Sequence, residues 1–148
     1  MNATTQLINE FLSVKEIAIA GVSRNKMKFG YKVFDLFQSK GYTVYPVNPV
    51  ASDINGVTCF SSVRNVPANV KSLLIITPHK KNEAVISDAL THGFEHIWIQ
   101  QKSDSPEALK LIEKTNVKLI KNRCVFMFLE PKGGHAFHSL VFKLLNKI

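Results

Sequence analysis

The sequence predicts an α/β fold: a doubly wound, mainly parallel sheet of five to six strands with helices on both faces. Three observations predict it. Short apolar runs alternate with amphipathic stretches along most of the chain, with few residues between them. The first run, Ile17-Ala18-Ile19-Ala20, leads through a glycine turn into the amphipathic stretch Tyr31-Lys32-Val33-Phe34-Asp35-Leu36-Phe37, and strand, turn and helix in that order is how an α/β sheet grips a phosphate. Ser72-Leu73-Leu74-Ile75-Ile76 is apolar on both sides of the pleat, as a buried parallel strand should be. Repeated units of this kind imply right-handed crossovers that cover both faces of one sheet.

Each element has its own signal. Residues 4 to 13 read as a short helix with Leu7, Ile8, Phe11 and Leu12 on one face and Thr4 or Thr5 as N-cap. Residues 17 to 20 form the first strand and 30 to 39 the next helix, stopped by Gly41. Thr43 to Val47 is the second strand; Pro46 inside it marks an edge or an end, where no ladder donor is needed. A loop with Asn48-Pro49 and Asn55-Gly56 precedes an extended piece at 57 to 60. After Ser72 to Ile76, Asn82 to His92 is a helix with Ala84, Val85, Ile86, Ala89 and Leu90 inward, closed by Gly93. His96 to Gln100 is a strand. Ser105 caps a helix that has Pro106 at its first position, runs to Thr115 and buries Leu109, Leu111 and Ile112. Val117 to Lys121 is the last core strand, and 135 to 147 a C-terminal helix.

At 148 residues and 45% hydrophobic, the chain is expected to make one well-cored domain over 1–148, with residues 1–14 as an N-terminal helix and 131–148 as a C-terminal helical extension. Nineteen Lys and Arg against eleven Asp and Glu give +8, which favours anionic partners or simply solubilises the surface. The charges are spread out, without a basic run or an aromatic-interleaved patch, and this disfavours nucleic acid. The only cysteines, Cys59 and Cys124, lack C-x-x-C spacing, no stretch reads as a signal peptide, and no apolar segment approaches a membrane span. These features predict a cytoplasmic location.

The loop 21–30 predicts a ligand that carries phosphate. Gly21 permits a sharp turn and close approach, Ser23 adds a hydroxyl, and Arg24, Lys26 and Lys28 add cations in front of a helix N-terminus. The second glycine comes only at Gly30, so the loop departs from the G-x-G-x-x-G dinucleotide fingerprint. Ligands of such sheets lie outside the carboxyl ends of the strands. That rim should hold Gly21-Val22-Ser23-Arg24, Val47-Asn48-Pro49, Thr77-Pro78-His79, Trp98-Ile99-Gln100 and Asn122-Arg123-Cys124. A nicotinamide cofactor calls for an Asp or Glu after the second strand; no carboxylate appears there before Asp53, which lowers NAD. Asn48 can still bond a ribose or base, with Pro49 fixing the loop over it.

Together, IAIAGVSRNKMKFGYKVF, GYTVYPVNP, the strand ending in Thr77-Pro78, the Trp98-Ile99-Gln100 triplet and the Asn122-Arg123-Cys124 end resemble the small free-standing CoA-binding proteins. Those are similar in turn to the N-terminal CoA-binding domain of the succinyl-CoA synthetase alpha subunit. The resemblance spans roughly residues 5 to 130 and implies a Rossmann-like domain with coenzyme A or acyl-CoA as ligand. It implies that Gly21, Val22, Ser23 and Arg24, with Lys28 and Gly30 completing the loop, hold the CoA diphosphate. Val47-Asn48-Pro49 would lie over the adenosine, while Thr77, Pro78, Trp98, Ile99 and Gln100 line the track toward the pantetheine arm, near Arg123 and Cys124. Relatives carry proline and small residues where Asn25 to Phe29 stand here, and the tail from Pro131 lies beyond the match.

Several residues support two readings. Cys124 is either a thiol beside that of CoA or a small apolar core residue. Trp98 either stacks on the ligand or fills the core. His79 is either a phosphate donor or acid–base group, or a solvated cap. His135 and His138 are spaced for a metal but lack further ligands, so one facing the core and one facing solvent is the simpler arrangement; Gly133-Gly134 is a second anion turn or a linker. Phe137, Val141, Phe142 and Leu145 would dock on the sheet or form a dimer contact, which leaves monomer and homodimer open. No Ser-His-Asp order, catalytic carboxylate pair or metal signature is evident. The expectation is a CoA or acyl-CoA carrier, regulator or accessory protein without its own catalysis, with an acyl-CoA enzyme as a possible protein partner; a nicotinamide-binding redox module is the alternative.

Overall fold

A computed structural model describes residues 2–129 of the chain. The order of elements is α1 (Ala3–Ser13), β1 (Glu16–Ala20), α2 (Phe29–Ser39), β2 (Thr43–Val47), β3 (Asp53–Ile54), β4 (Val57–Thr58), β5 (Ser72–Ile75), α3 (Asn82–His92), β6 (His96–Gln100), α4 (Pro106–Glu113), β7 (Lys118–Arg123) and α5 (Phe126–Leu129). The expected C-terminal helix, its His135 and His138, Gly133-Gly134 and its apolar face lie outside the described residues.

Five strands form one parallel sheet in the order β2-β1-β5-β6-β7, the doubly wound arrangement that the alternation of elements predicts. In-register pairs such as Ile19 with Pro46 and Ala20 with Ile75 fix its centre. Pro46 sits in an edge strand. Its carbonyl accepts from Phe60 N–H at 2.9 Å, on the side away from β1, so the missing proline N–H costs the ladder nothing.

Alternate strand residues serve opposite faces. Ile17, Ile19, Leu74 and Trp98 pack with Ile8 and Phe11 of α1 and with Val33, Phe34 and Phe37 of α2. Ala18, Ala20, Leu73, Ile75, Ile97 and Ile99 pack with Ile86 and Ala89 of α3 and Ala108 and Ile112 of α4. Burial on both faces explains why these strands read as continuous apolar runs.

The local signals differ from the expectations in four places. The cap of α1 is Asn2, whose side chain accepts from Thr5 N–H at 2.8 Å, and Thr4 and Thr5 lie inside the helix. Asn55-Gly56 joins β3 and β4 as an antiparallel hairpin; both residues have positive φ, 52° and 79°, as a type I′ turn requires. Leu111 is exposed on α4, and Ala108 takes the inward place. β7 runs on to Arg123 because the left-handed Asn122, φ 59°, accompanies a register shift that pairs Gln100 with Arg123.

Candidate functional site

The chain turns from β1 to β2 on one side and from β5 onward to the other. The carboxyl ends of β1 and β5 therefore border a crevice, the usual ligand position in such sheets. A cavity of about 740 Å³ lies there, within the range of small-molecule sites. One wall is Ala20 to Ser23 with Lys28, a second Val47 to Val50, and a third Ser61 to Val63; the fourth is Thr77 and Pro78 with Lys81, Ala84, Val85 and Asp88 of α3.

The glycine loop is built by close packing. Gly21 has φ +104°, and a Cβ there would stand 2.8 Å from Thr77 N, so the loop touches the end of β5 directly. Its N–H donates to Val47 O at 3.2 Å, tying the ends of β1 and β2 together. A Cβ on Gly30 would lie 2.2 Å from Gly21 O, which presses the first turn of α2 onto the start of the loop. Between the glycines, Ser23 Oγ accepts from Asn25 N–H at 3.0 Å and Asn25 Oδ1 from Met27 N–H at 2.9 Å. Lys28 stands at the N-cap of α2 without a capping oxygen, and the first turn of α2 carries no acidic side chain. The partial positive charge of that helix end is left for an anion.

Asn48 is scaffold more than ligand contact. Its Nδ2 donates to Val22 O at 2.9 Å, and its Oδ1 accepts from Val50 N–H at 2.8 Å and Ala51 N–H at 3.0 Å. The carboxamide thus joins the β2 loop to the glycine loop, and its oxygen is committed to a backbone turn. Pro49 and Val50 form the lip of the cavity. On the opposite wall Thr77 Oγ1 donates to Asn82 Oδ1, and Asn82 Nδ2 donates to Ser103 O. Asn82 is fully buried and holds the turn after β5 against the turn after β6.

Of the residues predicted for the site, Gly21, Val22, Ser23, Lys28, Val47, Asn48, Pro49, Thr77 and Pro78 come together around this cavity, while Gly30 supports it from behind. Arg24 is exposed and outside the lining, as is His79. Trp98, Ile99 and Gln100 lie outside the lining of this cavity. Trp98 is wholly buried, 5.4 Å edge-on to Phe11 and 5.8 Å from Phe128, and its Nε1 donates to Arg123 O at 3.1 Å. Ile99 faces the α3 and α4 core, and Gln100 Oε1 accepts from the buried Val125 N–H at 3.0 Å. Arg123 is exposed with its guanidinium on Asn122 O, and Cys124 is 2% exposed in the α1 and α2 core. None of these five side chains lines the cleft.

Sequence reasoning missed Ser61, Ser62, Val63, Lys81, Ala84, Val85 and Asp88. Ala84 and Val85 lie on the cavity side of α3, where the apolar periodicity placed them in the core; Lys81 one turn earlier was the available signal. Asp88 at the far end is matched by Arg64, with 3.9 Å between Nη1 and Oδ1. Among the described residues the lining contains neither histidine nor cysteine. Cys59 beside it is half-buried; burial pushes its thiol up, with Asp53 adding to the shift and hydrogen bonding to the Asn48 and Phe60 backbone opposing it. Among the described residues no group of three His, Cys, Asp or Glu could hold a metal, and no helix is long and apolar enough to cross a membrane.

A family model described as a CoA binding domain matches residues 15–130. The alpha subunit of the ADP-forming acetate–CoA ligase II of Pyrococcus furiosus is 27% identical over 90% of this chain and 34% of its own length. YneT of Bacillus subtilis, an uncharacterized protein, is 26% identical over 82% of this chain and 86% of its own. A solved structure, a conserved hypothetical protein of Pyrococcus furiosus, superposes with a TM-score of 0.74 at 33% identity, covering 77% of this chain and 98% of that one. The chain spans between 20% and 34% of the ADP-forming ligases that head the curated relatives.

Proposed function

The chain belongs to the CoA-binding domain family, and on that premise we propose that it binds coenzyme A or acyl-CoA in the β1/β5 cleft as a carrier, regulator or accessory of acyl-CoA enzymes. The observation that carries this reading is the donor set at the strand ends. A glycine loop and an acid-free helix N-terminus meet Lys28 on one wall, Lys81 stands on another, and apolar side chains lie between them. Anionic phosphates suit the first group and an adenine or pantetheine surface the second.

In this reading the backbone of Gly21 to Ser23, the Ser23 hydroxyl and Lys28 hold the diphosphate. The Val47-Asn48-Pro49 turn lies over the adenosine, and Thr77-Pro78 borders the pantetheine arm. CoA supplies a thiol on which an acyl group travels as a thioester; this chain's residues supply binding, orientation and a dry wall. Among the described residues the lining offers binding groups and no histidine or cysteine, and an accessory role is the reading we adopt for the cleft. The ligase relatives carry about two to four times as much chain again beyond the matched part, and their ligase chemistry is expected to reside with those further parts.

Calorimetric titration with CoA tests the proposal. Saturable 1:1 binding that weakens as salt rises is expected, since screened phosphate contacts supply much of the energy. Tighter binding of NADH than of CoA would overturn it in favour of a nicotinamide-binding module.

A further inference from the structure

CoA carries two separate anionic groups, the diphosphate and a 3′-phosphate on the adenosine ribose, and the cleft carries two separate cations. Among the described residues, Lys28 and Lys81 are the only cationic side chains in the lining, and they stand on different walls. Lys28 belongs to the glycine loop and α2; Lys81 immediately precedes α3, whose next turn presents Ala84 and Val85 to the same cavity. The one carboxylate among the described lining residues, Asp88, is two turns further along α3 and faces Arg64. It is therefore not the ion-pair partner that would draw Lys81 away.

The turn after β2 points the same way. In dinucleotide sites an acidic side chain at this strand end accepts from the free ribose hydroxyl. The residue there is Asn48, and its oxygen is already committed to Val50 and Ala51 N–H. A hydroxyl would thus find no side-chain acceptor on that turn, whereas a phosphate would find an ammonium across the groove.

We propose that Lys81 is the specificity-determining residue that reads the ribose 3′-phosphate, separating CoA from dephospho-CoA and from NAD. Lys28, on the diphosphate, serves all three ligands alike. This inference rests on the CoA reading of the cleft, and the experiment separates the two.

Wild type, Lys81→Gln, Lys81→Arg, Lys28→Gln and Lys80→Gln are titrated with CoA and with dephospho-CoA at one fixed ionic strength. Lys80 is exposed and outside the lining, so it serves as the control for general charge. Wild type should prefer CoA by about tenfold or more, the worth of one charge-assisted contact. Lys81→Gln should lose that preference by weakening CoA alone, and Lys81→Arg should keep it. Lys28→Gln should weaken both ligands together, and Lys80→Gln should change each by less than about twofold. Equal weakening of both ligands by Lys81→Gln, or a wild type indifferent to the 3′-phosphate, overturns the role of Lys81 while leaving the cleft as the CoA site. Failure of wild type to bind either ligand removes the CoA reading and this inference together.

Discussion

The carbonyl oxygen of Gly21 occupies the place of a Cβ on Gly30: a methyl built there would meet it at 2.2 Å. Nine residues apart in sequence, the two glycines are one packing unit. The wide spacing that departs from the dinucleotide fingerprint thus has a steric cause in this fold, since the loop must return and let α2 rest on its first residue.

Gly30→Ala should therefore do more than fill space. Both clashing groups are backbone, so neither can rotate away, and a cost of about 3 kcal/mol is expected, at the upper end for overpacking. Gly41→Ala is the comparison: Gly41 has φ +87° but nothing within 4 Å of a Cβ, so only the left-handed strain of about 1 kcal/mol applies. Urea denaturation of both variants checks this, and CoA affinity should fall for Gly30→Ala alone. A Gly30→Ala protein as stable as Gly41→Ala would remove the packing argument.

The same loop ranks its cations. Lys28 lines the cleft and Arg24 is exposed outside it, although both read as candidate phosphate ligands in sequence. Lys28→Ala should weaken CoA binding by about 1–3 kcal/mol, the range for a charge-assisted hydrogen bond. Arg24→Ala should cost less than about 1 kcal/mol, as screened surface charge does. Equal losses in a calorimetric titration would return Arg24 to the site.

Trp98 separates stability from binding. It is 0% exposed, in contact with Phe11 and Phe128 on the α1 side of the sheet, away from the cleft. Trp98→Phe keeps an aromatic but loses the Nε1 bond to Arg123 O and part of the volume, whereas Trp98→Ala should cost about 3–5 kcal/mol. CoA affinity of the folded Trp98→Phe protein should match wild type. Quenching of the single tryptophan's fluorescence by direct contact with added CoA would contradict this placement.

The position of Trp98 also shows what a sequence can and cannot carry. Thr43–Val47, Asn82–His92 and His96–Gln100 have the bounds that periodicity and terminators predict, because apolar runs, Gly93 and the flanking turns act locally. The glycine loop and the Asn48 turn were legible for the same reason. Which of two buried faces a residue serves is not local: along β6, Ile97 and Ile99 meet α3 and α4 while Trp98 meets α1, and only the packed sheet decides that none of them reaches the rim. Ala84 and Val85 fall to the cleft for a similar reason, since an apolar helix face looks the same whether it covers a core or a ligand groove. The hairpin at Asn55-Gly56 was legible and passed over; its turn dipeptide is among the stronger short-range signals.

Alkaline pH should destabilise the fold through two groups, Cys59 and Tyr45. Burial, joined by the Asp53 carboxylate, raises the Cys59 thiol above its ordinary 9.0 against the opposing hydrogen bonding to the Asn48 and Phe60 backbone. Burial followed by the Glu16 carboxylate, 3.5 Å from the phenol oxygen, raises Tyr45 above 10.0. For each, the folded chain keeps its proton at a pH where the unfolded chain has released it. The unfolded state then binds fewer protons, so stability falls as pH rises. The contribution is complete below about 9 for the thiol and 10 for the phenol, and is lost as pH climbs through the raised folded values. Denaturation midpoints measured from pH 8 to 10.5 should decline, and Cys59→Ala should flatten the first part of that decline. Slow alkylation of Cys59 at pH 7.5 that accelerates with base should accompany it, because the thiolate is the reactive form. A Cys59→Ala protein with the same pH slope as wild type would show that the thiol contributes nothing to it.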